Sequence, residues 1–336
     1  MSRPLVDQIA QAVLYEGYIL YPYRPSVKTR QRWTFGGLYP RAFSEENQGS
    51  DPWSMQMQCL IQASADMSLS VKVRFLHLVE RSIEQAGDFE RVPSLQVGDR
   101  TYQPWQEAVE RAVGVDDLRL PHPPRREHFV FPARRTVEPL NHNGVSVGRI
   151  VREQIQIEGA IEIAVEQKVT GVYQFTVRVT NETEFDRRDF ADRDAALMRS
   201  LVSTHLVLTS ERGGFVSMTD PPAELRHLAE ICQSTGCWPV LVGNPGSTDT
   251  LLVSPIILSD YPQIAPESPG DLFDGCEIDE ILTLRIMTLT DEEKRQATAT
   301  DPMAAKMLAR TESLAREQLM NLHGVLRPAG SEAHHG

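Results

Sequence analysis

The sequence predicts an α+β protein that is rich in β-strand, with an antiparallel, sandwich-like core, flanking helices and a helical C-terminus. Several segments alternate apolar and polar residues, as half-buried strands do, and they follow one another without intervening helices. Shorter segments with helical periodicity flank them. Hydrophobic residues make up 41% and charged residues 24% of the 336 residues, which is typical of a globular chain.

The first predicted region covers residues 1–118 and mixes helix and strand. Apolar residues three or four apart predict a short amphipathic helix over 4–15. Alternation predicts strands over 55–61 and 69–79. Proline at the start and glycine just past the end predict a helix over 104–113.

Residues 119–135, RLPHPPRREHFVFPARR, differ in composition from the chain on either side. They contain four prolines and five arginines against one glutamate, a local net charge of +4. This composition predicts a Pro/Arg-rich connection between two halves of the molecule.

The second region, 136–290, is predicted to be antiparallel β-structure with helices. Its predicted strands span 155–165, 172–180, 202–210, 214–218, 240–242 and 251–258, with a turn at Gly213-Gly214 and a helix over 223–234. A capping box at Thr290–Glu293 opens the predicted C-terminal helices over 291–324. Residues 325–336 are predicted to be a disordered tail.

Composition and charge limit the compartment and the partners. The formal net charge is −12, which argues against a nucleic-acid binder of the usual basic type. No apolar run reaches the 18 residues of a membrane span, and the N-terminus lacks the apolar core of a signal peptide. Four cysteines are too few for a disulfide scaffold. The sequence therefore predicts a cytoplasmic protein with reduced thiols and neither a nucleic-acid nor a membrane partner.

Three cysteines are weak candidates for a metal site. Cys232 and Cys237 lie near a predicted helix end and Cys276 follows about forty residues later, a spacing that matches no familiar zinc pattern. Cys232 shares the apolar side of that helix, Cys237 is expected to be exposed after a glycine turn, and carboxylates near Cys276 disfavour its thiolate. We therefore predict three unconnected thiols, no bound metal and no cofactor.

Residues 260–293 form the most acidic segment of the chain. The segment contains ten acidic residues and one basic residue, Arg285, so its local net charge is −9. Apolar residues such as Tyr261 and Phe273 predict an ordered loop with apolar anchors and outward carboxylates. Three interpretations remain open: a solvated loop, a docking surface for a basic partner, or a carboxylate site for a metal or for acid–base chemistry. The candidate interaction residues here are Glu267, Asp271, Asp274, Glu277, Asp279 and Glu280.

The first forty residues contain a second unusual cluster, in which aromatic residues alternate with cations. Its candidate interaction residues are Tyr18, Tyr21, Tyr23, Arg24 and Trp33. Such a cluster fits packing at a core edge, a protein interface enriched in Tyr, Trp and Arg, or base stacking, and the acidic net charge disfavours the last.

Two stretches together resemble an uncharacterised bacterial family encoded beside uptake [NiFe]-hydrogenase genes. They are VLYEGYILYPYRPS (13–26) and SPIILSDYPQIAPESPGDLFDGCEIDEILTLRIMTLTDEEK (254–294), and WQEAVER (105–111) is similar more loosely. The resemblance implies an accessory, assembly or maturation role around a nickel–iron enzyme, with a hydrogenase subunit or maturation factor as the partner. The chain has neither the CxxC pairs of hydrogenase zinc and nickel insertion factors nor a P-loop.

The functional hypothesis is therefore an accessory or assembly protein that acts by binding a protein partner. The alternative is an enzyme of unrecognised type that uses carboxylates in 260–280. The absence of any recognisable catalytic constellation in the sequence favours the first hypothesis, and a site for chemistry cannot be assigned to particular residues.

Overall fold

Helices are short in the part of the chain that the structure describes. The computed structural model describes residues 6–11, 13–14, 36–120, 123–186, 192–262 and 294. Helix α1 comprises the helical residues 6–11 and 13–14 of the helix predicted over 4–15. The others are α2 (Arg41–Glu46), α3 (Arg193–Leu197) and α4 (Arg226–Ala229). None of the described helices has the length and apolar character that a membrane crossing requires.

Strands dominate the described residues. They are β1 (Ser54–Gln85), β2 (Arg91–Val92), β3 (Leu95–Val97), β4 (Arg100–Tyr102), β5 (Trp105–Arg119), β6 (Arg125–Phe131), β7 (Arg134–His142), β8 (Val145–Gln154), β9 (Ile157–Val169), β10 (Val172–Asn181), β11 (Val202–Phe215), β12 (Trp238–Leu241) and β13 (Thr250–Ser254). All except the β3–β4 hairpin belong to one antiparallel sheet of 11 strands.

Strand β1 is the spine of this sheet because it is 32 residues long and changes partners along its length. One edge pairs in succession with β10, β5 and β2, and the other with β11 and then β8. The register shifts between Ala63 and Ser68, close to where β10 gives way to β5. The main path runs β12-β13-β11-β1-β10-β9-β6, and β7 pairs with the far edge of β8.

This pairing joins segments that the sequence analysis placed in different regions. Strand β1 lies in the predicted region 1–118, whereas its partners β8, β10 and β11 lie in the predicted region 136–290. Within the predicted connection 119–135, residues 125–131 form β6 and pair with β9. The described parts of the two regions therefore share one sheet.

The main core lies on one face of the curled sheet. It contains Phe75 of β1, whose ring centroid lies 6.0 Å from that of Phe129 and 5.7 Å from that of Phe131, both on β6. Gly159 of β9 permits this approach, because a Cβ there would lie 2.5 Å from the ring of Phe129. Burial of these apolar side chains supplies the dominant stabilisation.

The helices cover patches of the opposite face. Helix α1 packs Val6, Ile9, Ala10 and Val13 against Val240, Val242 and Leu252. Phe43 of α2 and Leu197 of α3 pack with Leu76 and Leu78 of β1. Leu225 and Ala229, at α4, pack on Leu60. The prediction of a β-rich antiparallel core with flanking helices is confirmed. The sandwich-like arrangement stays a prediction, and the helices predicted over 291–324 lie, apart from Lys294, outside the described residues.

The helix predicted over 104–113 is wrong, because these residues belong to β5. Proline before the segment and glycine after it favour a helix locally. However, β1 offers an open edge, and β5 pairs with it from Arg81↔Trp105 to Ser68↔Arg119. Pairing over this length outweighs a local preference of a few tenths of a kcal/mol per residue.

The turn predicted at Gly213-Gly214 is also wrong, because β11 runs through both residues and they pair with Ala63 and Gln62. A Cβ on Gly213 would collide with the sulfur of Met67, and one on Gly214 with the hydroxyl of Thr248. These glycines therefore allow close packing within a strand. The helix predicted over 223–234 is reduced to the four residues of α4.

Candidate interaction site

Most residues predicted to form an interaction site lie outside the described part of the chain. They are Tyr18, Tyr21, Tyr23, Arg24, Trp33, Glu267, Asp271, Asp274, Glu277, Asp279 and Glu280, together with the cysteine candidate Cys276. The structure does describe the first three residues of the acidic segment, 260–262, and these show how the segment leaves the sheet.

Asp260 is held by three hydrogen bonds. Its Oδ2 accepts from the hydroxyl of Ser217 at 2.5 Å and from the hydroxyl of Thr219 at 2.7 Å. Its Oδ1 accepts from the backbone N–H of Leu241 in β12 at 2.8 Å. Hydrogen bonds to an ionised carboxylate are stronger than neutral ones. Asp260 therefore ties the start of the acidic segment both to β12 and to the loop that follows β11.

Tyr261 adds a second attachment beside Asp260. Its backbone N–H donates to the carbonyl of Leu241 at 2.7 Å, its hydroxyl donates to the carbonyl of Ser247 at 3.1 Å, and its ring packs against the main core. The residue adopts φ 55°, a left-handed conformation that is uncommon for a bulky side chain. We define the acidic anchor as Asp260 and Tyr261.

The acidic anchor lies along the outer edge of β12. The backbone N–H and the carbonyl of Leu241 both form hydrogen bonds with the anchor. Pro239 has no backbone N–H that could donate to an added strand. Trp238, which begins β12, leaves 42% of its surface exposed. Proline and a covered backbone protect an edge strand from nonspecific strand addition, whereas exposed tryptophan is typical of specific protein interfaces.

The two described cysteines among the metal candidates belong to different hydrophobic clusters. Cys237 lies in the main core and its thiol donates to the carbonyl of Gln56 at 3.2 Å. The expectation that Cys237 is exposed is wrong, because the chain after the glycine turn enters the core beside β1. Cys232 is half-buried in the cluster of Leu60 and Leu225, although it lies beyond the end of α4 and not within a helix.

Burial raises the pKa of both thiols, that of Cys237 to about 12. The neutral thiol is therefore the form at physiological pH, and thiolate is the form that binds metals. Among the described residues, no group of three or more His, Cys, Asp or Glu side chains is arranged to hold a metal ion.

Two histidines are fully buried next to charged strands. His77 bonds through Nε2 to the carbonyl of Ile155 at 2.8 Å, and His205 bonds through Nδ1 to the carbonyl of Ser203 at 3.1 Å. Burial is the main cause that lowers the pKa of each to about 4. Both imidazoles are therefore neutral at physiological pH, and neither contributes charge to the binding of a partner.

A cleft of about 420 Å³ lies between α1 and strands β1 and β5. Within it, Arg74 donates to Gln11 at 2.6 Å, and Gln11 donates to Glu110 at 2.6 Å. Arg74 also lies 3.4 Å from Glu110. These bonds join α1 to the sheet. The polar groups of the cleft bond to one another, as they do in a structural hydrogen-bond network.

A ladder of ion pairs crosses β5, β1, β8 and β7 beyond the main core. Arg81 donates to one oxygen of Glu107 at 3.0 Å, and Arg152 donates to the other at 2.8 Å and to Glu138 at 2.8 Å. We call this face of the four strands the polar face. The sequence alone indicates no role for these residues, because their partners are set by strand register rather than by sequence spacing.

Comparisons with known proteins assign no family to this chain. No family model matches the chain, and no curated protein matches it. The solved structure of the Salmonella SPI-1 type III secretion injectisome secretin InvG in the open gate state is 9% identical, with a TM-score of 0.12. That alignment covers 63% of this chain and 60% of the InvG chain, so this chain spans about three fifths of that length. A TM-score this low supports no statement about this chain.

Proposed function

We propose that this chain is a cytoplasmic accessory or assembly protein that acts by binding another protein through its acidic segment, in the context of a [NiFe]-hydrogenase. The observation that carries the proposal is the acidic anchor. Three hydrogen bonds to Asp260 and the packed ring of Tyr261 fix the point from which the acidic segment continues.

Fixing that point has a physical consequence for binding. A charged segment on a free tail loses much conformational entropy when it docks, whereas one attached to a folded sheet loses less. A local net charge of −9 also speeds encounter with a basic surface. The partner that fits is therefore a protein with a basic surface, for which a hydrogenase subunit or maturation factor is the proposed identity.

The enzyme hypothesis gains no specific support from Asp260. Both of its oxygens already accept hydrogen bonds, so this carboxylate serves the attachment of the chain. The remaining carboxylates of 260–280 lie outside the described residues, and the enzyme remains the alternative.

The test is affinity purification of the tagged full chain from its native host. In one variant Glu267, Asp271, Asp274, Glu277, Asp279 and Glu280 are changed to Gln or Asn; in a matched control the same is done to the exposed acids Glu46, Asp88, Glu90, Asp99, Glu224 and Glu230. We expect the first variant to recover at least tenfold less partner and the control to recover it normally. Equal recovery by both variants would contradict the role of the acidic segment.

The hydrogenase context has a separate test. Deleting the gene should lower hydrogenase activity or the processing of its large subunit, and expression of the wild-type chain should restore it. Unchanged activity and processing in the deletion strain would refute this context, while leaving the acidic segment open as a docking surface for a different partner.

A further inference from the structure

Two arginines at one end of the polar face differ from their neighbours. Arg111 of β5 stacks on Phe131, with its guanidinium carbon 4.8 Å from the ring centroid. Arg134 begins β7, three residues after Phe131, and pairs directly with Gln154 of β8. Burial and, to a smaller extent, the positive charge of Arg134 lower the pKa of Arg111. The two guanidiniums therefore lie close enough to repel one another.

Among the described residues, the surrounding arginines have carboxylate partners and these two do not. Arg81 and Arg152 use both oxygens of Glu107, and Arg152 also takes Glu138. On the same strands Arg135 pairs with Glu153 and Arg149 with Glu84. Among the residues that the structure describes, neither Arg111 nor Arg134 forms an ion pair, and the buried Nε of Arg111 has no hydrogen-bond acceptor.

Two further buried polar atoms beside these arginines also have no partner within the described part of the chain. Gln154, directly opposite Arg134, is 9% exposed, and its Nε2 has no acceptor. His77 uses Nε2 on the carbonyl of Ile155, the residue after Gln154, and its Nδ1 has no partner. Since a carbonyl oxygen only accepts, Nε2 carries the proton of the neutral ring and Nδ1 is an acceptor.

Such a concentration of unmet hydrogen bonds is uncommon within a folded chain. Most buried polar groups find a partner in the protein or in an ordered water molecule. Here the buried groups without a described partner are Nε of Arg111, the amide of Gln154 and Nδ1 of His77, and the exposed Arg134 adds a second positive charge. Their common complement is an oxyanion that also carries a hydroxyl proton.

We propose that Arg111 and Arg134, with Gln154, form a binding site for a phosphate group. The phosphate oxygens accept from the two guanidiniums and from the amide of Gln154, and a phosphate hydroxyl donates to Nδ1 of His77. Arginine suits this role because its planar fork of donors matches phosphate geometry. A simple carboxylate would satisfy the donors, but at neutral pH it has no proton for His77. The site is independent of the acidic segment.

The test is isothermal titration calorimetry of the full chain with inorganic phosphate at neutral pH, with ionic strength held constant by sodium chloride. The key variant is Arg134→Gln, because Arg134 is exposed and its loss leaves the core intact. The matched control is Arg135→Gln, which removes the same charge from the next residue of β7, where the side chain points to the other face and pairs with Glu153. We expect Arg134→Gln to weaken phosphate binding at least tenfold and Arg135→Gln to change it less than twofold.

Acetate is the discriminating probe, since it carries the negative charge without a hydroxyl proton. We expect it to bind at least tenfold more weakly than phosphate, and His77→Phe, if folded by circular dichroism, to reduce that preference. If wild-type chain binds no phosphate, or if both arginine variants lose it equally, the proposal is overturned. Equal binding of acetate and phosphate would overturn the assignment of a phosphate group. None of these outcomes bears on the acidic segment, whose charges remain in every variant.

Discussion

The two halves of β1 are held in the sheet by different forces. Residues 54–63 and 67–76 place alternate side chains in the main core, and Met57, Ile61, Val71 and Phe75 are fully buried there. In residues 77–85 the buried positions include the polar residues Arg81, Ser82 and Glu84 as well as the apolar residues Leu78, Val79 and Ile83. The first half therefore relies on apolar area, and the second combines apolar area with charge pairing across strands.

This difference shows how one strand can be 32 residues long. Apolar alternation selects which face of a strand is buried, but it does not by itself choose among partners of similar pattern. Across β5, β1, β8 and β7, a shift of register would place Arg81 and Arg152 away from Glu107. Ion pairs thus fix the register where the main core no longer does, and among the described residues they include neither Arg111 nor Arg134.

The largest effect is expected in the apolar half. Phe75→Ala removes a fully buried ring in contact with Phe129 and Phe131, and we expect a loss of about 3–5 kcal/mol in the free energy of unfolding. Val109→Ala, at a residue 39% exposed on β5, should change it by less than about 0.5 kcal/mol. Urea denaturation of both variants measures the difference. Similar losses would show that the main core does not dominate.

A smaller effect is expected when the ladder of the polar half is broken. Glu107→Gln removes the carboxylate shared by Arg81 and Arg152, and the Arg81 side chain is only 9% exposed. We expect a loss of about 2–3 kcal/mol, below the range for a fully buried pair because Glu107 is 26% exposed. The control is Glu166→Gln, which breaks the exposed pair with Lys168 and should cost about 0.5 kcal/mol or less. Urea denaturation measures both. If the two variants lost the same free energy of unfolding, the ion pairs of Glu107 would stabilise the fold no more than an exposed surface pair does.

The apolar half and its partners could be predicted from the sequence to a large extent. Alternation over 69–79 and 172–180 indicates half-buried strands, and these residues lie in β1 and β10. The polar half could not, because Glu107 falls in a segment whose local pattern favours a helix. Only the edge of β1 makes that segment a strand, and pairing partners distant in sequence are not encoded in a local period.

The same reasoning applies to the sites. Tyr261 is recognisable in the sequence as an apolar residue within an acidic segment, but the hydrogen bonds of Asp260 to Ser217 and Thr219 span about forty residues of chain. Arg134 was visible only as part of the +4 charge of residues 119–135. That it lacks a carboxylate while Arg135 has one depends on which face of β7 each side chain occupies.

The smallest effect concerns pH and compares one buried histidine from each half. His205 pairs with Arg74 of the apolar half and is influenced by Arg74 and Glu110, whereas His77 begins the polar half and faces the charge of Arg111. Burial lowers the pKa of both imidazoles to about 4 in the folded chain, against about 6.5 when unfolded. The unfolded chain therefore takes up protons first as the pH falls.

Above about pH 6.5 both histidines therefore leave the free energy of unfolding unchanged. As the pH falls from there towards 4, they lower the free energy of unfolding, and below about pH 4 this loss levels off. Together they should cost about 1 kcal/mol between pH 7 and pH 6. His205→Asn and His77→Asn, which cannot ionise, should each remove about half of this decline in urea denaturation. If one variant abolishes the whole decline and the other none, only one of the two histidines has a lowered pKa in the folded chain.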